Sequence, residues 1–226
     1  MSPEKRITKR QMKQDNFVTT ALKASEYVQQ RKNYFVGGIA AVVAVIAIIY
    51  FINYSFAQKA IDAERLFGKA QVTASMNQTA LAIADYKTLI EDYASTDVAD
   101  RACYFLAKTL FDMNDRDSAL VYFELYINNF GKDKMLLGAA YNGGANCLED
   151  KEDFNSAGDY YFKAAEATND DVFSPGYYMN AGRSFYKAGQ LEKATEAYQF
   201  VVDNYRTSTY YSIASKKLAE VKYGLE

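Results

Sequence analysis

Few residues of this 226-residue chain have the type and spacing to do chemistry. It contains no histidine, which excludes imidazole general bases, Ser-His and Cys-His nucleophile pairs and most zinc sites. The acidic run DMNDRD, Asp112–Asp117, has the look of a calcium loop. Such a loop needs oxygen ligands at its first, third and fifth positions, Gly at the sixth and Glu at the twelfth. Counted from Asp112, those slots hold Asp112, Asn114, Arg116, Asp117 and Phe123. The Arg, the missing Gly and the Phe defeat the reading, and an inter-helix turn accounts for the segment. Gly138, Gly143 and Gly144 lie in GAAYNGGAN, which follows no strand and lacks the Lys-Ser/Thr ending of a phosphate loop. On a helix these glycines permit close backbone contact between hairpins. Cys103 and Cys147, the only cysteines, are far from Cys-x-x-Cys spacing. They read as two small buried residues, or as a disulfide in an oxidising compartment. Asn53-Tyr54-Ser55 and Asn77-Gln78-Thr79 match the glycosylation sequon, a pattern frequent by chance. No catalytic, cofactor-binding or metal-binding residue is expected, and the chain reads as a non-enzyme.

Binding is left, and the elements that would position a binding surface begin with an apolar stretch. Residues 34–52, YFVGGIAAVVAVIAIIYFI, carry no charge, and the uncharged window extends from Asn33 to Gln58. As a helix those nineteen residues span roughly 28 Å, about the thickness of a bilayer's hydrocarbon core. Tyr34, Phe35, Tyr50, Phe51 and Tyr54 mark its ends as an aromatic belt would. A transmembrane helix over 34–54 is expected. A cleaved signal peptide is the competing reading, because Ser55-Phe56-Ala57 has a small-x-small form, but the long charged lead and long apolar run favour an uncleaved anchor. Before the span, Lys5, Arg6, Lys9, Arg10, Lys13, Lys23, Arg31 and Lys32 stand against Glu4, Asp15 and Glu26, a net of +5. The whole chain sums to −2, so the remainder carries −7. The positive-inside rule then places residues 1–33 in the cytoplasm and the long acidic part outside it, in the periplasm of a bacterium. Repeats facing the cytosol of a eukaryotic organelle are the alternative that this charge balance opposes. Within residues 1–33, an amphipathic helix is expected from Asp15, its cap, with Phe17, Val18, Ala21, Leu22 and Val28 at helical spacing. Its lysines suit anionic headgroups of the lipid bilayer, or a cytoplasmic partner. Gly37 with Ala41 and Ala40 with Ala44 are small-x-x-x-small pairs suited to helix association.

Beyond the span the sequence repeats. A small residue followed four positions on by an aromatic recurs as Ala82/Tyr86, Ala119/Phe123, Ala157/Tyr161 and Ala194/Tyr198, at spacings of 37, 38 and 37. Twelve residues upstream of each stands another small residue, Ala70, Ala107, Ala145 and Gly182. Leu110, Leu148 and Phe185 continue the same face one turn later. Each unit reads as two antiparallel helices joined by a polar turn, as in DMNDRDS, EDKEDFNS and KAGQ. The small residue lets the second helix approach, the aromatic fills the space between neighbouring hairpins, and no hairpin buries its face alone.

These positions resemble those of the tetratricopeptide repeat family. The clearest unit is YYMNAGRSFYKAGQLEKATEAYQFVVDNY, within residues 176–205, with Ser174-Pro175 supplying a cap and a first-turn proline. The resemblance covers about Ala57 to the C-terminus. It departs from the family in a period of 37–38 rather than 34, and in lacking the proline after the second helix. It implies an all-α fold: one transmembrane helix, then an α-solenoid of about four helical hairpins over residues 57–226, with Tyr210–Tyr223 as a lone capping helix. A basic N-terminal segment, one span and such repeats also resemble the YfgM-like ancillary subunits of the SecYEG translocon. That likeness implies a periplasmic, chaperone-like scaffold. LIEDYASTDVADRACYFLA is similar to repeats in outer-membrane assembly and Tol-Pal proteins, which implies instead an envelope or division scaffold that binds no clients.

The candidate surface is the face of the first helices. In register with each small residue it should hold Tyr104, Lys108, Phe111, Asn142, Asn146, Met179, Arg183 and Tyr186. Aromatic and Met groups beside Lys108 and Arg183 suit proteins or extended peptide segments. The carboxylate clamp of some tetratricopeptide co-chaperones is matched at Asn146, Asn180 and Lys217, but Asn142 replaces its first lysine and weakens the charge complementarity. The acidic exterior argues against nucleic acid, and no small-molecule substrate is expected. The expected location is a bacterial inner membrane, single-pass.

Overall fold

The computed structural model describes the backbone of residues 9–224 and the side chains from Phe17 onward. The start of the basic lead, with Glu4, Lys5 and Arg6, lies outside the described residues. Those described form ten α-helices and no strand, in two units, residues 1–57 and 58–226.

The first unit holds α1 (Lys9–Gln30) and the opening of α2 (Lys32–Ser75). Helix α1 is already formed at Lys9, so Asp15 lies inside it rather than capping it. A break follows at Arg31, whose guanidinium stands 5.2 Å from the Tyr27 ring centroid, and Tyr27 sits edge-on to Phe35. Every side chain from Phe17 to Ala57 is exposed. Helix α2 is long and apolar enough to cross a membrane by length and composition, a test that a signal sequence near a chain's start also passes. The helix does not stop at Tyr54. It runs on for 44 residues in all, and its last turns form the first helix of the first hairpin.

In the second unit, the end of α2 pairs with α3 (Thr79–Asp92), α4 (Asp97–Asp112) with α5 (Arg116–Asn129), and α6 (Lys134–Asp150) with α7 (Phe154–Thr168). The fourth pair is α8 (Ser174–Lys187) with α9 (Leu191–Asn204), and α10 (Tyr211–Tyr223) packs on α9. The repeating alanines Ala70, Ala82, Ala107, Ala119, Ala145, Ala157 and Ala194 are fully buried, and Tyr86, Phe123, Tyr161 and Tyr198 are buried with them. A Cβ on Gly182 would meet the Tyr198 ring at 2.5 Å, and one on Gly143 would meet the Phe123 ring at 2.3 Å. At these two positions the glycine gives up its side-chain volume to an aromatic ring lying flush on the helix. Van der Waals density, rather than polarity, sets these crossings.

The hairpin turns share one geometry. Asn77, Asn114, Glu152 and Gly189 each adopt a left-handed conformation, with φ of 59°, 67°, 61° and 73°. They follow one another at the repeat spacing of 37, 38 and 37 residues. In each, the next residue's N–H donates back to a carbonyl of the preceding helix. The pairs are Gln78 to Thr73, Asp115 to Leu110, Asp153 to Leu148 and Gln190 to Phe185, at 2.8–3.0 Å. This closes the first helix as a Schellman motif does. Asp115 and Asp153 then cap the second helix, each accepting from a serine N–H, Ser118 or Ser156, at 3.1 Å. The acidic residues of DMNDRD are thus committed: Asp115 to its cap, Asp112 to Lys108 and Asp117 to Lys151.

Ser174 does not cap α8. Its buried hydroxyl donates to Ala165 O at 2.9 Å and accepts from Asp170 N–H at 3.0 Å, pinning the loop from α7. The Asp170 carboxylate instead accepts from Val172 and Phe173 N–H. Pro175 stands in the first turn. Cys103 and Cys147 are free and buried, and the Cys103 thiol donates to Tyr122 O at 3.4 Å.

Burial pushes the Tyr86, Tyr126 and Tyr198 phenols up to about 12. Below the ordinary tyrosine value of about 10, these phenols are neutral in folded and unfolded chains alike. Above it the unfolded phenols release protons that the folded ones keep, so stability falls as pH rises. Thermal melts with tyrosinate absorbance should be flat near pH 8 and lose stability steadily from pH 10 to 12. A melt unchanged up to pH 12 would contradict the burial of these rings.

Candidate protein-binding surface

Helices α4, α6 and α8 carry the expected surface, and α4 touches α6 directly. Three positions recur along it. Tyr104, Asn142 and Met179 occupy the first, Lys108, Asn146 and Arg183 the second, and Phe111, Glu149 and Tyr186 the third. The first position is structural. Tyr104 is half-buried against Phe105, Phe123 and Tyr126, with centroids 5.4–6.1 Å apart, and burial raises its phenol pKa. Asn142 and Met179 are half-buried too, Met179 against the apolar core of α7–α10.

The second and third positions divide by repeat. In the second hairpin, Lys108 is exposed and its Nζ lies 2.6 Å from Asp112 Oδ2. Phe111 is half-buried beneath the Arg116 guanidinium, 3.7 Å from the ring centroid. In the third, Asn146 is engaged: its amide donates to Asn142 O at 2.9 Å, and its Oδ1 lies 2.7 Å from Tyr161 Oη. In the fourth, Arg183 and Tyr186 are both open to solvent, Tyr186 by 52%. Of the eight expected residues, only Lys108, Arg183 and Tyr186 present exposed side chains.

Glu149 was not among the expected residues, yet it organises the middle of this surface. Its Oε1 accepts from the Ser184 hydroxyl at 2.6 Å, and its Oε2 lies 3.0 Å from the Arg183 guanidinium and 3.2 Å from Tyr161 Oη. Only 15% of its side chain is exposed. Burial and the adjacent Glu149 carboxylate push the Tyr161 phenol well above the ordinary tyrosine range. The network ties the third hairpin to the fourth. Its sequence signal was a carboxylate standing at the position where the neighbouring units carry Phe111 and Tyr186.

Two grooves open on this side. One, of about 510 Å³, lies between α8, α9 and α10, lined by Arg183, Tyr186, Lys187, Tyr198, Lys217, Glu220 and Val221. Lys217 pairs with Glu220 at 2.7 Å, while Lys187 stands 4.7 Å from the Phe154 ring centroid. The other, of about 340 Å³, lies between α2, α3 and α4, with Gln71, Ala74, Ser75, Tyr86, Phe105, Lys108, Thr109 and Asp112 around it. Of the clamp-like positions, Lys217 is paired with Glu220, and Asn146 is bonded to Asn142 and Tyr161. Among the described residues, no group of three or more His, Cys, Asp or Glu is placed to hold a metal ion.

The profile of a family described as a tetratricopeptide repeat-like domain matches residues 26–222. The chain belongs to that family. Its all-helical fold is that of a protein-interaction scaffold, and the family match takes in the apolar part of α2 as well as the hairpins. The fold is similar to TPR-like repeats of a putative kinesin light chain from Podosopora anserina, with TM-score 0.52 and 12% identity over 70% of this chain and 84% of that one. It is also similar to BtubC (BKLC) from P. vanneervenii, with TM-score 0.53 and 15% identity over 74% and 80% of the two chains. No curated protein matches the chain.

Removing Glu149 would leave the buried Ser184 hydroxyl without its acceptor and Arg183 without its ion-pair partner, while Tyr161 keeps Asn146. Leaving a buried donor unpaired costs about 1–3 kcal/mol, so Glu149→Ala should lower unfolding stability by about 2 kcal/mol in a urea titration. Lys108→Ala, which breaks only an exposed i,i+4 pair, should change it by about 0.5 kcal/mol or less.

Proposed function

We propose that the protein is a membrane-anchored interaction scaffold, chaperone-like and close to the Sec translocon, resembling the YfgM-like ancillary subunits. The observation that carries the binding role is the open surface of the fourth hairpin. There Arg183, Tyr186 and Lys187 stand exposed beside a groove, on a rigid run of packed helices. Aromatic and cationic groups together suit extended polypeptide, through apolar contact, hydrogen bonds and cation–π pairing. What supports the anchor is the exposed, uncharged first part of α2, which has the length of a bilayer span, with aromatic residues at both ends. What supports the orientation is the charge division, +5 before the span and −7 from Asn33 onward. On this reading residues 1–33 are cytoplasmic, residues 34–54 cross a bacterial inner membrane, and the repeat domain over 57–226 faces the periplasm.

The partners on this reading are the bilayer, the SecYEG channel and exported chains in extended form. Photo-crosslinking in intact cells, with the reactive group at Lys108 or Arg183, tests it. Translocon subunits together with many unrelated exported proteins are the expected adducts. A small fixed set of envelope proteins would overturn the chaperone-like reading and leave a dedicated assembly or division scaffold.

A further inference from the structure

The two grooves are the same site at opposite ends of the repeat array. Gln71 and Arg183, Tyr86 and Tyr198, and Phe105 and Lys217 are each 112 positions apart, which is three repeat periods, and the other shared lining positions keep that offset. The two intervening copies of the site are filled by the protein's own side chains. In the second hairpin the Phe123 ring lies on Gly143. In the third, Glu149 with Tyr161, Asn146, Arg183 and Ser184 occupies the position. The surface is therefore open at both ends and closed between them.

The ends differ in charge. The groove beside α10 is lined by three cations, Arg183, Lys187 and Lys217. Glu149 pairs with Arg183 and Glu220 with Lys217, which leaves Lys187, over the Phe154 ring, as the charge that an acidic ligand group would meet. In the groove beside α4, Lys108 and Asp112 cancel, and the rest of the lining, Gln71, Ala74, Ser75, Tyr86, Phe105 and Thr109, is uncharged. Packed helices lie about 8–10 Å apart, and among the first helices close backbone contact joins α4 to α6, so three steps along them cover at least roughly 24–30 Å. An extended chain needs at least about seven residues to cover that distance.

We propose that one extended polypeptide binds both grooves through two anchor side chains at least about seven residues apart. The anchor beside α10 is an apolar residue next to an acidic one, and the anchor beside α4 is uncharged and apolar. This rests on the reading of the repeat face as a polypeptide-binding surface. Two linked anchors gain from effective concentration, so each contributes far more to the pair than alone.

The test is selection from a displayed library of random 16-residue peptides on the full-length chain in detergent micelles. Fluorescence anisotropy of the selected peptides follows, with wild type and with variants at exposed positions, Gln71→Trp for one groove and Tyr186→Ala with Lys187→Glu for the other. Helical circular dichroism checks that each variant is folded. The expected result is a pattern of two anchors at that spacing, with an acid beside one, and a loss of roughly tenfold or more from either groove's substitution. Shortening the spacer to three residues should cost as much. Peptides that bind through a single anchor, or that are indifferent to one groove's substitution, overturn the two-groove proposal and leave the binding surface standing. A library that yields no binder overturns the binding surface itself, and this proposal with it.

Discussion

The contact on which the rest of the structure depends is an aromatic ring lying against a residue with little or no side chain. Tyr198 rests on Gly182, Phe123 on Gly143 and Phe185 on Gly158, each ring so close that a Cβ on the glycine would overlap it. Tyr86 and Tyr161 are buried at the positions equivalent to Tyr198, where Ala70 and Ala145 stand in place of Gly182. Such contacts fix the separation of neighbouring helices more tightly than a pair of flexible aliphatic chains can, because close-packed interiors tolerate little change in volume. Stability in a repeat array is a sum of local units and their interfaces. Contacts of this kind, within a hairpin at Gly182 and between hairpins at Gly143 and Gly158, therefore set the geometry of the stack, including the surface its first helices offer.

The contact of Tyr198 with Gly182 was legible in the sequence because both residues belong to a short-range pattern, whereas the glycines beneath Phe123 and Phe185 lie outside it. A small residue twelve before and an aromatic four after a second small residue is a local signature, and the structure buries every member of it. The turn chemistry was half legible. DMNDRDS and EDKEDFNS announced turns, but the recurrence of one left-handed residue at Asn77, Asn114, Glu152 and Gly189 is hidden by the diversity of those side chains. Glutamate carries no left-handed preference that would betray Glu152. The loop role of Ser174 was hidden for another reason: Ser-Pro before a helix is a common cap signal, and only the position of Asp170 four residues earlier diverts the serine to Ala165.

The candidate surface was less legible than the fold. Register alone put Tyr104 and Met179 on the first-helix face, where they belong, but their depth depends on how far neighbouring hairpins close over them, and that is a property of the assembled stack. Asn146 and Phe111 have partners on other elements, Tyr161 from α7 and Arg116 from α5. Glu149 shows the limit most clearly. Its ligands Arg183 and Ser184 are 34 and 35 residues away, one repeat less a helical turn, so the pairing appears only once consecutive first helices are laid side by side.

The longer period does not itself create this network. A unit of 37 or 38 residues exceeds the family's usual 34 by about one helical turn. The structure spends that length differently along the array. Helices α4 and α6 are long, 16 and 17 residues, and four-residue connections lead into them, Tyr93–Thr96 and Phe130–Asp133. Helix α8 has 14 residues and a longer approach, Asn169–Phe173, which Asp170 and Ser174 tie down. All three helices end at the same register, at Asp112, Asp150 and Lys187, so the extra residues of α4 and α6 lie at their N-termini, and the position of Glu149 is held by Phe111 in α4 and by Tyr186 in α8. What cross-ties the middle of the array is therefore the residue type at one position, a carboxylate that meets Arg183 and Ser184 of the next hairpin as well as Tyr161 of its own. The end hairpins lack that carboxylate, with Ala74 and Tyr186 in its place, and the same position remains open in both.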